Sequence, residues 1–506
     1  MKKAAKGIIG LSAALVVLGG GLAALKLTDT DDQTEEEESS SVSETSGSGI
    51  TLVEDTESSD GTGTVSRVNV VNPSGELNVI IATEATDDTS ATYTLEGYED
   101  ISLNTSVVGT LANNADGLTS QSIVAEDCTD TDKYGFDEPQ ATVEVIYESG
   151  SSVTFIIGDI APTSSETYLM IDGDDTVYTV STSTMSNYSK ELFDFVSTTI
   201  LEEPDDDDYP IVNSLRIQRD DIDYDIYLEY DTKSDDVSYT GGTSATHVMM
   251  EPTFAYLSVD DSTTITNGMF GLTASEIYGV HVGEAEIAEA GLSEPFCTVT
   301  MSCDDGNDYV LYMSEPFTDE NADKYHYVML EGGNVIYTVS AEDAQWGTVM
   351  PIDIASKILF GTYVWNISEM TVNCSGLDEI NFEITMKDDV EDTDSLSSDD
   401  FNVTKNGSVF DAERYRQFYA FLVQASAEDF ALDETVPDED PMVTIEFYDS
   451  YTNISETVEF YDYSSLTALI VVDGECKFFC GKSYVETIIE NAERIDTGED
   501  YITTWK

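Results

Sequence analysis

Apolar and polar positions divide the chain into three kinds of sequence. An uncharged apolar run covers residues 7–25, a polar acidic tract covers residues 26–64, and patterned sequence fills the remainder. Some stretches of the patterned part alternate apolar and polar residues, and others repeat apolar residues every three or four positions. The first period is typical of half-buried strands and the second of amphipathic helices. The sequence therefore predicts an α+β fold that is rich in strands.

The apolar run is long enough to cross a membrane. As a helix, residues 7–25 would measure roughly 28 Å, close to the ~30 Å hydrocarbon core of a bilayer. The preceding basic residues are Lys2, Lys3 and Lys6. This charge predicts a cytoplasmic tail over residues 1–6, a single transmembrane anchor over residues 7–25 and an extracellular location for the rest. A cleaved signal peptide stays open as an alternative, because Gly21 and Ala23 suit a cleavage site.

The acidic tract has few apolar residues and includes four consecutive glutamates at residues 35–38. Such a segment cannot bury enough surface to offset the entropy lost on ordering. We therefore predict a disordered acidic linker over residues 26–64 that tethers the exterior part.

The patterned part repeats one arrangement three times. Each copy opens with an entry segment ending in proline, continues through strands and a turn, and closes with an apolar helix. The entry prolines are Pro139, Pro295 and Pro441, which stand 156 and 146 residues apart. Because a strand pair and a helix precede each copy, the repeating unit is the size of a domain. We predict three tandem β-rich modules, which cover residues 65–202, 211–361 and 366–506.

Helical spacing predicts which residues close each module and where its other helix lies. The apolar residues of the first closing helix are Met185, Tyr188, Leu192, Phe195 and Val196. The second closing helix is predicted to end near Phe360, and the third to run from Tyr484 to Ile495. The clearest helix ahead of an entry segment is predicted from Asp411 to Ala425.

Charge narrows the range of partners. The chain has 101 acidic and 20 basic residues, for a formal net charge of -81. Such a field repels nucleic acid, so we expect no nucleic-acid partner. The predicted partners are the cytoplasmic membrane, through the N-terminal helix, and a membrane transporter or envelope protein.

The residue types that carry catalysis are sparse. The six cysteines show no zinc spacing and no disulfide framework, and the three histidines, His247, His281 and His326, form no motif with a nucleophile. The sequence has no Gly-x-Ser-x-Gly elbow and no Ser-x-x-Lys arrangement. We therefore predict no catalytic residue and no required cofactor.

Calcium is the candidate ion, since oxygen-rich loops suit it. Asp172, Asp174 and Asp175 form the candidate metal site, although Asp-Gly-Asp is also ordinary hairpin chemistry. A pair of catalytic carboxylates could not be recognised among 101 acidic residues.

Four sequence features resemble the bacterial family called domain of unknown function 4340. They are the predicted anchor, the entry Tyr134-Gly135-Phe136-Asp137-Glu138-Pro139, the strand exit Ile157-Gly158-Asp159, and the hairpin Asp172-Gly173 followed by Val177-Tyr178. The resemblance is good over the anchor and module 1. It is partial over modules 2 and 3, where Ser314-Glu315 and Asp462-Tyr463 replace Gly158-Asp159. It implies an anchored, exported protein found beside components of ABC-type transporters related to gliding-motility systems, and it implies no catalytic residues.

Two functions follow as expectations. The first is a non-catalytic membrane-anchored scaffold or binding component of a transporter-associated cell-envelope system. The second is a secreted or surface carbohydrate-active enzyme or glycan-binding protein. Tandem copies favour the first, since they suit a multi-site binding protein better than one preorganised active site.

Overall fold

The computed structural model describes residues 49–59, 63–85, 89–233, 245–357, 359, 362–388, 390, 396–424 and 427–505. These residues form three antiparallel sheets in chain order, each with helices packed against it. The predicted succession of three β-rich modules is therefore confirmed. The predicted cytoplasmic tail and transmembrane anchor lie outside the described residues. Within the described part, no helix is both long enough and apolar enough to span a bilayer.

The strands of module 1 are β1 (Val65–Asn72), β2 (Gly75–Thr83), β3 (Thr92–Leu95), β4 (Ser122–Ala125), β5 (Ala141–Tyr147), β6 (Ser152–Ile160), β7 (Glu166–Ile171) and β8 (Val177–Ser181). Those of module 2 are β9 (Val212–Arg219), β10 (Ile226–Tyr230), β11 (His247–Glu251), β12 (Ala255–Tyr256), β13 (Glu276–Val280), β14 (Cys297–Cys303), β15 (Asp308–Met313), β16 (Phe317–Thr318), β17 (Lys324–Leu330) and β18 (Val335–Ser340). Those of module 3 are β19 (Ile367–Cys374), β20 (Ile380–Met386), β21 (Phe401–Lys405), β22 (Ser408–Phe410), β23 (Asp429–Phe430), β24 (Val443–Asp449), β25 (Ile454–Asp462), β26 (Thr467–Val472) and β27 (Glu475–Gly481).

The three sheets share one topology. Their strand orders are β3-β2-β1-β5-β6-β7-β8-β4, β12-β11-β10-β9-β14-β15-β17-β18-β13, and β22-β21-β20-β19-β24-β25-β26-β27-β23. In each module the first strand of an N-terminal hairpin pairs with the first strand of a later meander, and this pair lies inside the sheet. A short strand from between these two parts of the chain closes the far edge. We call β4, β13 and β23 the closing edge strands.

One face of each sheet forms the main core. Along β5, Ala141, Val143, Val145 and Tyr147 are all 0–1% exposed, as their alternation predicts. Helices α1 (Thr105–Ala115), α3 (Val259–Asn267) and α6 (Ala412–Leu422) follow the first strands of their modules, and α4 (Glu284–Glu289) precedes the second entry segment. α6 confirms the start of the helix predicted from Asp411 to Ala425, because the Asp411 side chain caps it by accepting from Arg414 N, and the helix ends at Leu422. Ala425 lies outside the described residues.

Two of the three predicted closing helices do not form as continuous helices. In module 1 the predicted helix is divided into α2 (Thr182–Met185) and two 3-10 turns, Ser186–Ser189 and Leu192–Phe195. The serine-rich sequence explains the division, because short polar side chains bond to the local backbone, as Asn187 does to the Ser183 carbonyl at 3.0 Å. In module 2 the described residues of the closing segment form only the 3-10 turn Gln345–Gly347 and α5 (Pro351–Ile354), since Pro351 starts a helix but cannot continue one. Phe360, near which this helix was predicted to end, lies outside the described residues. The third, α7 (Lys482–Arg494), is confirmed.

A buried aromatic side chain ties each closing segment to the helix ahead of it. Tyr188 Oη donates to the Leu111 carbonyl at 2.9 Å, and Tyr484 Oη donates to the Leu422 carbonyl at 2.8 Å. In module 2, Trp346 Nε1 donates to the Ile265 carbonyl at 2.9 Å. The three aromatic residues are each 1% exposed. This shared contact shows that the modules repeat in detail as well as in strand order.

The entry segment of module 1 covers the opposite face of the sheet. Gly135 has φ +80°, and a Cβ at Gly158 would stand 2.2 Å from the Tyr134 carbonyl oxygen. Glycine at both positions therefore lets the entry segment lie close to β6. The register corrects one predicted correspondence. Because Val443 pairs with Phe460 as Ala141 pairs with Ile157, the counterpart of Gly158-Asp159 in module 3 is Tyr461-Asp462, and Asp462-Tyr463 is wrong by one residue.

Successive modules share cores at their junctions. The last residues of module 1 pair with module 2 through a β-bridge between Thr199 and Thr273, and Ile200 N donates to the Leu272 carbonyl at 2.8 Å. The core of module 2 includes Val196 and Ile200 from module 1 and Phe430 from module 3.

The predicted linker over residues 26–64 is wrong at its C-terminal end. Thr51 forms a β-bridge with Thr119, Leu52 N donates to the Leu118 carbonyl at 2.6 Å, and Val53 is 0% exposed. The apolar side chains of this segment are isolated among polar and acidic residues, so its composition predicts disorder. Burial of Val53 in the core of module 1 orders the segment. Residues 26–48 lie outside the described part.

Candidate functional site

The predicted metal ligands lie in the hairpin between β7 and β8. Asp174 accepts hydrogen bonds from Thr176 N at 3.0 Å and from Tyr178 Oη at 3.2 Å. The hydrogen bond from the Thr176 side chain is the main cause of a lowered Asp174 pKa. The backbone of the hairpin is fixed to its surroundings, because Asp172 N donates to the Thr154 carbonyl at 2.9 Å and the Asp175 carbonyl accepts from Cys128 N at 2.8 Å.

Among the described residues, no three aspartate, glutamate, histidine or cysteine side chains gather closely enough to hold a metal ion. Calcium binding by Asp172, Asp174 and Asp175 stays a prediction, which a binding measurement must test.

A solvent-open cleft of about 490 Å³ lies beside α3 in module 2. Its apolar floor includes Ile265 and Val349, and its lining carboxylates come from Asp261, Glu342 and Asp353. Two of these carboxylates already stabilise helix starts, because Asp261 accepts from Ser258 Oγ at 2.7 Å and Asp353 accepts from Met350 N at 2.9 Å. The cleft suits a ligand with positive charge. Its residues come from separate parts of the chain, so no local motif could have predicted it.

A buried cation holds the segment that bounds this cleft. The Arg219 side chain is 1% exposed and pairs with Asp221 at 2.8 Å. Its guanidinium also donates to the Val349 carbonyl at 2.7 Å. This combination of a charged partner and backbone acceptors compensates a buried guanidinium. Arg219 is therefore engaged by the protein itself.

Two histidines are buried and held by backbone carbonyls. His247 Nε2 lies 2.7 Å from the Val212 carbonyl oxygen, and His326 Nδ1 lies 2.7 Å from the Ser314 carbonyl oxygen. Burial lowers the pKa of both imidazoles, which favours the neutral form. The other nitrogen of His326, Nε2, has no hydrogen-bond partner within the described structure. His281 instead lies at the junction of modules 1 and 2, where its Nε2 is 3.0 Å from Asp100.

The six cysteines are free thiols. Burial raises the pKa of Cys297, Cys374 and Cys480 to about 12. Because the thiolate is the reactive form, these positions suit packing better than nucleophilic chemistry.

Glu456 is a carboxyl group that sequence reasoning could not single out. It lies on β25, and its Oε1 is buried without a hydrogen-bond partner in the described part of the chain. Burial, followed by the charge of Asp473, raises its pKa to about 7. Burial raises the pKa of Tyr256 of module 2 and of Tyr419 of module 3, and the negative charge of Glu456 adds to both increases. Nothing in its sequence distinguishes it from the other acidic residues, since burial alone creates the shift.

The fold and these sites together define a protein of three repeated α+β modules. Residues 94–236 match the family described as "Domain of unknown function (DUF4340)", which confirms the resemblance noted from the entry, strand-exit and hairpin residues. The match begins within β3 and ends shortly after β10, so it crosses the junction between modules 1 and 2. No curated protein and no solved structure matches the chain at a significant level.

Proposed function

We propose that this protein is a non-catalytic scaffold or binding component of a cell-envelope system associated with an ABC-type transporter. In this proposal residues 7–25 anchor it in the cytoplasmic membrane, residues 1–6 are cytoplasmic, and the three modules are extracellular. The acidic segment ahead of residue 49 acts as the tether.

The observation that carries the proposal is the repeated junction. Each later module adds its own sheet but shares core residues with its neighbour, as Ile200 and Phe430 do in the core of module 2. A chain built in this way presents equivalent surfaces at regular intervals, which is how repeat proteins bind extended or multiple partners. The described thiols and buried histidines are engaged in packing and backbone hydrogen bonds, which is compatible with a non-catalytic role.

The acidic cleft in module 2 supports a second candidate, a surface carbohydrate-active enzyme or glycan-binding protein. Its carboxylates, Asp261, Glu342 and Asp353, line an open space of about 490 Å³, within the usual size of small-ligand sites. Two of them also serve helix starts, so the scaffold proposal is the stronger one.

The deciding experiment is crosslinked isolation of the full chain from intact membranes, after a high-salt wash. We expect retention in the membrane and copurification of transporter subunits. The double variant Val16→Asp/Val17→Asp should lose both, because charge in the apolar run opposes insertion. Val42→Asp, in the polar tract, is the matched control and should behave as the natural chain.

Two results would count against the proposal. Recovery of the chain in the medium, beginning near residue 24, would show a cleaved signal peptide and no anchor. A membrane-bound chain that crosslinks to no envelope protein but hydrolyses a glycan, with loss of activity in Asp353→Asn, would favour the second candidate.

A further inference from the structure

The acidic cleft depends on residues that differ between the repeats. Asp261 stands three residues after Ser258, the N-cap of α3, and Glu342 stands two residues after Ser340, the last residue of β18. The equivalent positions hold Val107 and Ser183 in module 1, and Arg414 and Ser483 in module 3. These two carboxylates are therefore particular to module 2, so a site built on them occurs once among the three modules.

The cleft joins negative charge to an apolar surface. Its three carboxylates, on Asp261, Glu342 and Asp353, belong to exposed residues. Its floor includes Ile265 and Val349 from the core of module 2, where close packing holds them in place. A complementary ligand therefore has an apolar part and more than one positive charge.

The described lining residues supply no cation of their own, because none of them is basic. Arg219 binds the Val349 carbonyl from the protein interior, but its guanidinium pairs with Asp221 and is 1% exposed. The charge of Arg219 is thus matched by a carboxylate outside the cleft. The cleft carboxylates keep their negative charge for a ligand.

Module 3 shows how a cation fits between the equivalent elements. Arg414 stands on α6 at the position that corresponds to Asp261 on α3. Its guanidinium reaches the end of the closing helix α7, where it donates to the Ile495 and Glu499 carbonyls, both at 2.8 Å. In module 2 the corresponding elements are α3 and α5, and each contributes a carboxylate to the open cleft. A bound cation would take the place there that the Arg414 side chain takes in module 3.

Other ligand classes are less complementary to this cleft. Calcium and magnesium need several oxygen ligands at about 2.0–2.6 Å, and the described carboxylates do not gather closely enough for that. An anion would be repelled. Ring ligands such as sugars are usually held against aromatic side chains, and the described lining residues include none. An aliphatic cation with separated charges satisfies both the carboxylates and the floor.

We propose that the cleft of module 2 binds a linear aliphatic polyamine. Its ammonium groups would pair with Asp261, Glu342 and Asp353, and its methylene chain would cover the apolar floor. Charge-assisted hydrogen bonds give such a complex its orientation, and burial of methylene groups adds affinity. The cleft volume of about 490 Å³ is within the range of small-ligand sites. This inference goes beyond the scaffold function and does not depend on it.

Calorimetric titration of the purified full chain with spermidine, a linear triamine, tests the site. Because the formal net charge of -81 attracts any cation, the buffer contains about 0.15 M NaCl, where the screening length is about 8 Å. We expect one spermidine site per chain. Butylamine, which has one ammonium group, should bind at least about tenfold more weakly, since it cannot engage separated carboxylates together.

Two variants of exposed residues locate the binding in the cleft. Glu342→Gln removes a carboxylate without altering a helix start and should weaken spermidine binding by about tenfold. Gln345→Lys adds a cation to the lining, as Arg414 does in module 3, and should weaken binding at least as much. Glu320→Gln, an exposed acid of the same module, is the matched control and should leave the affinity unchanged. Thermal unfolding should be the same for all three variants, which separates loss of binding from loss of folding.

Three results would each overturn the proposal. Several weak sites that do not respond to Glu342→Gln would show general attraction of cations to an acidic surface. Equal affinity for butylamine and spermidine would show that the cleft does not recognise separated charges. Binding of the neutral sugar maltotriose, in competition with spermidine and lost in Glu342→Gln, would assign the cleft to glycans. Membrane retention and crosslinking test the scaffold function separately, so either proposal can fail without the other.

Discussion

Replacing Glu456 by glutamine should stabilise the protein at neutral and alkaline pH. The Glu456 side chain is largely buried, its Oε1 has no hydrogen-bond partner within the described structure, and burial followed by Asp473 raises its pKa to about 7. The folded protein therefore holds a proton on Glu456 at pH values where the unfolded chain has already released it. The contribution of Glu456 to the free energy of unfolding is fully present below about pH 4.5 and is lost as the pH rises toward 7.

The magnitude follows from the two pKa values. Each pH unit in which only the folded state holds the proton lowers the free energy of unfolding by about 1.4 kcal/mol. The interval from 4.5 to about 7 sets an upper limit of about 3 kcal/mol, and local relaxation around the charge reduces it to about 1–3 kcal/mol. Glutamine keeps the shape and carries no charge, so the variant should gain this amount over the natural chain at pH 8 and little at pH 4.5.

The assay is urea unfolding of the natural chain, Glu456→Gln and Glu446→Gln at pH 4.5 and pH 8. Glu446 lies exposed on the neighbouring strand β24 and controls for the removal of one negative charge from a highly acidic protein. Equal pH dependence in the natural chain and in Glu456→Gln would refute the reasoning. So would an equal gain in Glu446→Gln, because that result would assign the effect to general charge repulsion.

Three further predictions concern the repeat and the candidate metal site. Gly158→Ala should destabilise module 1 by about 1–3 kcal/mol, because its Cβ would meet the Tyr134 carbonyl at 2.2 Å, while Gly109→Ala in α1 has room and should be neutral or stabilising in thermal unfolding. Tyr188→Phe should cost about 1–3 kcal/mol, since it leaves the Leu111 carbonyl without its donor, whereas Tyr463→Phe at an exposed hydroxyl should change urea unfolding by less than about 0.5 kcal/mol. Calcium should raise the melting temperature no more than sodium at matched ionic strength, and a calcium-specific rise that Asp174→Ala abolishes would contradict this and identify a site.

The sequence predicted the main core well because strand alternation is a local signal. The alternating residues of β5 all face the core, and α6 begins at its predicted cap, Asp411. The repeat was also visible, because Pro139, Pro295 and Pro441 precede equivalent strands β5, β14 and β24. These features need only neighbouring residues to be recognised.

The remaining features depend on contacts between distant residues. Val53 lies in acidic sequence and packs into the core of module 1. Burial, followed by the charge of Asp473, raises the pKa of Glu456. The first closing segment forms no continuous helix, because the low helix propensity of its serine, threonine and asparagine residues outweighs its apolar spacing. The cleft residues Asp261 and Asp353 approach each other only through the fold.

The corrected register shows which contacts of one acidic residue differ between modules 1 and 3. In module 1, Gly135 lies against Asp159 with no room for a Cβ. In module 3 the equivalent acid, Asp462, instead pairs with Lys482 at 2.6 Å, at the start of α7. The acidic residue is thus kept by the repeat, and it lies against Gly135 of the entry segment in module 1 but pairs with a lysine of the closing helix in module 3. The third entry segment reads Pro437-Asp438-Glu439-Asp440-Pro441 and contains no glycine. Module 3 therefore keeps the sheet topology of module 1 while the contacts of this acidic residue differ.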